Sequence, residues 1–263
     1  MDYGLKNKLA LVTGSTKGIG RAIVEQLHGE GARVIVHGRS QDDIDKLVKQ
    51  LGANAYGVAA DISSAAGVNK LIADVKKIGD PDILVNNAGI FEVKDFLDIP
   101  DEDWQRFFDI NVMSGVRLSR AFFPAMIKKN WGRIIFISSE SGINIPVEMI
   151  HYGMSKTAQL SVSRGLSELT KKTGVTVNSV LPGPTMSDGV NTFVGEFSRK
   201  TGTDKDTFIN ETFFKEARPT SLIQRFADPK EIANMVVYVA SELASATNGA
   251  ALRVDGGVLK TIF

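Results

Sequence analysis

The chain is expected to fold as an α/β domain, a single doubly wound parallel seven-stranded sheet spanning residues 1–263, with helices on both faces and a helical flap between the sixth and seventh strands. Three observations lead there. Short apolar runs alternate with longer amphipathic segments along the whole sequence, the signature of repeated strand–helix units. Most of those runs are near-continuous in Val, Ile, Leu and Ala, as strands covered on both faces are. A glycine-rich turn then joins the first apolar run to the first amphipathic segment.

Taken in order, strands are expected at 9–13, 33–36, 55–59, 83–85, 132–137, 176–180 and 251–254, and helices at 18–30, 42–50, 65–78, 101–128, 151–172 and 229–241. Parallel neighbours joined this way need right-handed crossovers. One stretch breaks the rhythm. Residues 186–227 are long for a connection, and they mix Phe193, Phe197, Phe208, Phe213, Phe214 and Phe226 with many charges. Two readings stand side by side: a substrate-binding flap over the carboxyl ends of the strands, or ordinary helical packing against the sheet.

Composition narrows the function. A formal net charge of +1 gives no basis for binding nucleic acid or an anionic membrane. Cysteine is absent, which excludes disulfides and thiolate chemistry and fits a cytoplasmic protein. No apolar stretch approaches the roughly 20 residues of a membrane helix. The first apolar run flows into the glycine loop and reads as a strand, not a signal peptide. His28, His37 and His151 lack metal-ligand spacing, so no metal is expected.

The glycine turn runs Thr13-Gly14-Ser15-Thr16-Lys17-Gly18-Ile19-Gly20. Its glycines allow a sharp turn and close approach of phosphate oxygens, and the helix start that follows aims free N–H groups at an anion. The spacing differs from G-x-G-x-x-G and from the Gly-Lys-Ser/Thr of an NTPase loop. By itself the turn is also compatible with a purely structural bend. The second strand ends His37-Gly38-Arg39-Ser40, where a site preferring NAD would carry Asp or Glu for the ribose hydroxyls. Arg39 and Lys17 together suit a 2′-phosphate, so NADP(H) is expected as the preferred cofactor, with NAD(H) possible; the bland alternative is a pair of solvated surface charges.

Tyr152 and Lys156, four residues apart at the start of a helical segment, project to one side. A free phenol has a pKa of about 10, and bringing it to neutrality takes about 4 kcal/mol of preferential stabilisation of the phenolate. A lysine cation has the correct sign for that. Such a pair alone is most often a surface pair. Ser139 adds to it, ending the fifth strand on the side where this fold opens its ligand crevice. Asn86-Asn87-Ala88-Gly89 follows the fourth strand, and Asn111 sits within the 101–128 helix, where Asn tends to bend a helix or recruit water.

Taken together, Thr13-Gly14-x3-Gly18-x-Gly20, Asp61-Ile62, Asn86-Asn87-Ala88-Gly89, Asn111, Ser139, Tyr152-x3-Lys156 and Pro182-Gly183-x-Thr185 resemble, in order and spacing, the short-chain dehydrogenase/reductase family in its common form of about 250 residues. The resemblance implies a Rossmann-like fold and hydride transfer between a nicotinamide and a ketone or secondary alcohol. It implies a tetrad: Tyr152 as acid/base, Ser139 orienting the substrate oxygen, Lys156 lowering the Tyr152 pKa and holding the nicotinamide ribose, and Asn111 fixing a water for proton relay. It assigns the pyrophosphate to Gly14, Ser15, Thr16, Lys17, Gly18, Ile19 and Gly20, and the adenine to Asp61 and Ile62. Asn87, Ala88 and Gly89 line the adenosine and ribose side, and Pro182, Gly183 and Thr185 touch the nicotinamide. Lys17 and Arg39 match the family's NADPH-preferring pattern. It also implies a homotetramer or homodimer formed through the two long helices.

The substrate pocket is expected from Ser139, Ser141, Ile143, Ile145, Met149, Ile150, Gly183, Met186 and the flap phenylalanines, a largely apolar set that favours a hydrophobic or medium-sized carbonyl compound. Glu140, Glu148 and Asp188 are secondary candidates to flank it. The general similarity to 3-oxoacyl-carrier-protein reductases does not extend to the long flap, and sugar alcohols, steroids and quinones stay open. Rival functions are a catalytically silent NADP-binding sensor or scaffold, and an epimerase or dehydratase on the same fold.

Overall fold

The computed structural model describes residues 2–262, apart from the side chains of Phe193, Lys200 and Thr201. Among them, seven strands form one parallel sheet in the order β3-β2-β1-β4-β5-β6-β7. The strands are β1 (Leu9–Val12), β2 (Arg33–Gly38), β3 (Ala55–Ala59), β4 (Ile83–Asn86), β5 (Gly132–Ile137), β6 (Val175–Pro182) and β7 (Ala251–Val254). Their apolar runs are continuous because both faces are covered. Ala10, Val12, Val34, Val36, Ile83, Val85, Ile135 and Ile137 face a core shared with Ile23, Leu27, Ile232 and Val236. Leu9, Leu11, Ile35, Leu84, Ile134 and Phe136 face a second core with Val68, Leu71, Leu118 and Phe122. Alternate residues of one strand thus serve opposite layers.

The first layer contains α1 (Gly18–Gly29) and, late in the chain, Pro229–Ala240; the second contains α3 (Ala65–Ile78) and Ser114–Lys129. Between β2 and β3 runs α2 (Gln41–Leu51), capped by the Ser40 hydroxyl. β1 lies between β2 and β4, so the chain leaves it in opposite directions and a crevice opens at its carboxyl end.

Two expected helices differ in detail. The 101–128 segment is α4 (Asp101–Phe107), a π-helical turn (Phe108–Met113) and α5 (Ser114–Lys129). Asn111 sits in the π turn, and the Ser114 hydroxyl donates to the Ile110 carbonyl at 2.6 Å, so hydrogen bonding of polar side chains widens the helix there. The segment expected at 151–172 is α6 (Ile150–Glu168). It stops early because the Thr170 and Thr173 hydroxyls take the carbonyls of Ser167 and Thr170, and Lys172 adopts a left-handed φ of 64°.

The 186–227 excursion comprises α7 (Asp188–Thr201) and α8 (Lys205–Thr207), the latter continuing as a π-helical run, Phe208–Ala217. Its aromatic rings pack on one another: Phe197 on Phe208 at 4.2 Å and Phe213 on Phe226 at 4.7 Å between centroids. The excursion is closed at its base. Thr185 bridges Ala227, the Met186 N–H donates to the Ala227 carbonyl at 2.9 Å, and the Ala227 N–H donates to the Pro184 carbonyl at 2.8 Å. α9 (Pro229–Ala240) follows, its start fixed by a reciprocal Asp228–Glu231 cap.

Candidate active site

A cavity of about 910 Å³ occupies the crevice at the carboxyl ends of the strands, walled by the glycine loop, the β4 and β5 ends, the start of α6 and the flap. Phe197, Phe208, Phe213 and Phe226 of the 186–227 excursion line it.

The glycine loop is held from behind. His37 Nδ1 accepts from the Gly14 N–H at 3.1 Å, the Ser15 N–H donates to the His37 carbonyl, and the Ser15 hydroxyl accepts from the His37 N–H. Ser15 is therefore fully buried and off the cavity wall, spent on loop shape; it is not positioned to touch a cofactor as expected. Burial holds the His37 pKa down to about 4, so the ring is neutral and keeps a lone pair for Gly14. Gly14 has a left-handed φ of 61°, and a side chain at Gly20 would collide with the Gly14 carbonyl. Asn87 ties the loop to β4, donating to the carbonyls of Thr13 and Gly14. The N–H groups of Ile19 and Gly20, at the start of α1, have no acceptor among the described residues. That donor set suits a pyrophosphate.

Thr16, Lys17, Gly18, Ile19 and Gly20 line the cavity with Arg39, Asp61, Ile62, Asn87, Ala88 and Gly89. Lys17 is exposed and 3.9 Å from Asp43, a weak surface pair that leaves its charge available. Arg39 helps hold Asp61 below the usual carboxylate range, behind the larger effect of the Ser63 N–H and hydroxyl. At the far side Pro182, Gly183 and Thr185 form part of the wall.

Ser139, Tyr152 and Lys156 converge on the cavity. The Lys156 ammonium donates to the Ile137 carbonyl at 2.9 Å and to Gln159 Oε1 at 3.3 Å, and lies 5.6 Å from the Tyr152 ring centre. Burial brings its pKa down to about 8. Burial also pushes the Tyr152 phenol up; Ser139 and Arg218 oppose that rise and Glu140 adds to it. Among the protein groups alone, Lys156 does not bring Tyr152 down, because desolvation outweighs every charge nearby.

Asn111 stands behind this group, not on the cavity wall. Its side chain accepts from the Ile90 N–H at 2.8 Å and donates to the Ile90 carbonyl and to the Ser155 hydroxyl. Its main-chain carbonyl accepts from Gln159 Nε2 at 2.5 Å. Gln159 thus joins Lys156 to Asn111. No motif flagged Gln159; its position three residues after Lys156, on the same helix face, is the available signal.

The substrate side departs most from expectation. Ser141 and Met149 are on the wall; Ile150, Met186, Ile143 and Ile145 are not. Ile150 precedes Tyr152 by two positions on α6 and so faces elsewhere. Met186 belongs to the flap's base. Ile143 and Ile145 are exposed on the loop before α6. In their place stand Glu140, Glu148 and Arg218. Arg218 Nε donates to Glu140 Oε1 at 3.2 Å, and Nη1 donates to Glu148 Oε1 at 3.2 Å. Asp188 is on the wall but turned to the cofactor side, accepting from the Gly18 N–H at 2.7 Å. His151 is buried among Phe107 and Trp104 with both ring nitrogens unpartnered, and burial lowers its pKa. Among the described residues no group of three or more His, Cys, Asp or Glu is placed to hold a metal, and no helix is long and apolar enough to cross a membrane.

A family model described as short chain dehydrogenase matches residues 8–195. The chain belongs to that family. It is 51% identical over 264 residues to oxidoreductase YvrD of Bacillus subtilis strain 168, covering all of both chains. It is 34% identical to the 3-oxoacyl-[acyl-carrier-protein] reductase FabG of Aquifex aeolicus, covering 98% of this chain and all of that one. The L-sorbose reductase of Gluconobacter frateurii, solved with NADPH and L-sorbose, superposes with a TM-score of 0.93 at 32% identity over both full chains. This short-chain dehydrogenase is an oxidoreductase acting between carbonyl and CH–OH groups with a nicotinamide cofactor and a small-molecule substrate.

Proposed function

We propose that the protein is an NADPH-dependent carbonyl reductase in which Tyr152 delivers the proton. The observation that carries the reading is the convergence of Ser139, Tyr152 and Lys156 on one end of a cavity whose other end is the glycine loop flanked by Lys17 and Arg39. The bound dinucleotide would supply the hydride. The N–H groups of Ile19 and Gly20 would take its pyrophosphate, and Arg39 and Lys17 its 2′-phosphate. Asp61 and Ile62 would flank the adenine, Asn87 to Gly89 the ribose, and Pro182 to Thr185 the nicotinamide.

A phenol held above its ordinary pKa rests protonated at neutral pH, as an acid for reduction must. As hydride reaches the carbonyl carbon, Tyr152 gives its proton to the developing alkoxide, and Ser139 holds that oxygen. Lys156, with a pKa near 8, carries a proton at neutral pH to restore the phenol, and Gln159 and Asn111 hold Lys156 in place. The substrate we favour is a medium-sized carbonyl compound bearing polar groups, because Glu148 and Arg218 share the wall with the flap phenylalanines; L-sorbose reductase is a relative of that kind. Assembly as a homodimer or homotetramer in the cytoplasm belongs to the same proposal and is tested by light scattering on the eluted protein.

The decisive experiment follows NADPH and NADH oxidation against a panel of ketones and aldehydes that includes L-sorbose. Turnover with a much lower KM for NADPH than for NADH is the expected result. NADPH binding without turnover of any carbonyl would favour a sensor, and equal use of both cofactors would remove the role given to Arg39.

A further inference from the structure

We propose that Glu140 and Arg218 are positioning residues for the reaction: Glu140 fixes the Ser139 rotamer by accepting its one hydroxyl proton in the substrate-free site, and Arg218, at the end of the flap, seats Glu140, so that on substrate binding this proton turns from Glu140 to the substrate oxygen while the Ser141 hydroxyl and N–H stay on the carboxylate. The proposal rests on the reading of Ser139 as the group that holds the substrate oxygen.

The Glu140 carboxylate is buried beside the tetrad. Its Oε2 accepts from the Ser139 hydroxyl at 2.5 Å, from the Ser141 hydroxyl at 2.7 Å and from the Ser141 N–H. Its Oε1 accepts from Arg218 Nε at 3.2 Å. An ionised carboxylate away from water is tolerated only when paired and hydrogen-bonded. The serines and N–H supply the bonds; the countercharge comes from a residue 78 positions away. Arg218 is itself largely buried, and its Nη1 also bonds Glu148 and the Ala217 carbonyl. The guanidinium lies 5.9 Å from the Phe213 ring centre, against the aromatic cluster of the flap. The Ser139 rotamer therefore depends on a carboxylate whose countercharge, among the described residues, is Arg218 of the flap. Nothing in the family's motif residues requires either partner.

The test uses the full chain saturated with NADPH and two substitutions, Glu140→Gln and Arg218→Gln. The amide introduced by Glu140→Gln has a single oxygen, which can face the serines or Arg218 but not both. Amide hydrogen exchange is followed in the 139–142 loop and in Phe208–Ala217. Each substitution is expected to speed exchange at both places, while Ser139→Ala leaves the flap as in the wild type. Flap exchange unchanged in Glu140→Gln overturns the proposal.

With any ketone turned over by the wild type, Glu140→Gln should lower kcat about 100-fold with the KM for NADPH unchanged. The double substitution Ser139→Ala with Glu140→Gln should be no slower than Ser139→Ala alone. Multiplying losses would overturn the link to the serine. Should Glu140→Gln fail to fold, Arg218→Lys takes its place: a single ammonium can reach Glu140 without the fork to Glu148, so exchange and kcat should fall between wild type and Arg218→Gln, and wild-type values for both overturn the proposal. If no carbonyl is reduced, the functional reading fails, while the exchange arm still decides whether flap and loop are coupled.

Discussion

The half of the crevice walled by the glycine loop and the half beneath the 186–227 excursion are built differently. In the first, loops are fixed by short backbone-centred contacts: Thr13 and Asn87 across adjacent strand ends, and His37 and Ser15 across the next pair. Those contacts come from neighbouring parallel strands, whose register the sheet already sets. In the second, side chains meet across long stretches of sequence: Arg218 with Glu140 and Glu148, and Phe213 with Phe226. A dinucleotide presents the same phosphates to every such loop, so one local solution serves. The wall beneath the excursion has no such fixed counterpart, and its partners come from distant stretches of the chain.

The largest expected effect lies at the junction of the halves. Tyr152→Phe should lower kcat about a thousandfold or more while leaving the NADPH Kd near the wild-type value, measured by fluorescence titration. Retained turnover would break the proposed chemistry.

Next comes acid sensitivity on the cofactor side. The His37 pKa falls from 6.5 to about 4 on folding. The folded state therefore resists a proton that the unfolded chain accepts, and the stability His37 permits is present above pH 6.5 and lost as pH falls towards 4. The loss amounts to roughly 3 kcal/mol at most. Because Gly14 depends on the unprotonated ring, NADPH affinity should weaken over the same range, and thermal melts with and without NADPH between pH 7 and 4 would show both. Affinity independent of pH there would separate His37 from loop shape.

Arg39→Asp should shift the NADPH-to-NADH ratio of kcat/KM by roughly tenfold to a hundredfold, the size of one or two charge-assisted hydrogen bonds. A loss equal for both cofactors would move Arg39 out of the 2′-phosphate site.

The smallest effect is expected at Gln159. Its Oε1 faces the Lys156 ammonium and favours the charged form. Gln159→Leu should move the alkaline fall in reduction, expected near pH 8 from the Lys156 pKa, to lower pH. The kcat change at neutral pH should be about threefold. An unmoved pH profile would leave Gln159 as packing alone.

The same contrast between the halves governs what is legible in the sequence. Glycine spacing, Arg39 in place of an acid and the Tyr152–Lys156 interval are local patterns with local physical meaning, and the cavity brings them together. Ser15 reads wrongly as a cofactor contact because a buried loop hydroxyl and a phosphate-binding one look alike in sequence; only the His37 backbone distinguishes them. Met186 and Ile150 read as pocket residues from their neighbourhood, whereas the flap's closed base and helix phase turn them away. Glu140 is visible only as a secondary candidate, and Arg218, separated from it by 78 positions, carries no local sign at all.

The closed base of the flap has a consequence of its own. Thr185 and Ala227 sit side by side in a bridge just beyond the end of β6, so everything between them is an excursion whose two feet already touch. Ring closure grows more costly only logarithmically with length, each doubling adding about 0.6 kcal/mol. The segment can therefore lengthen, shorten or be exchanged for another with little disturbance to the strands beneath, and a lineage can take up new carbonyl compounds while keeping one dinucleotide cradle.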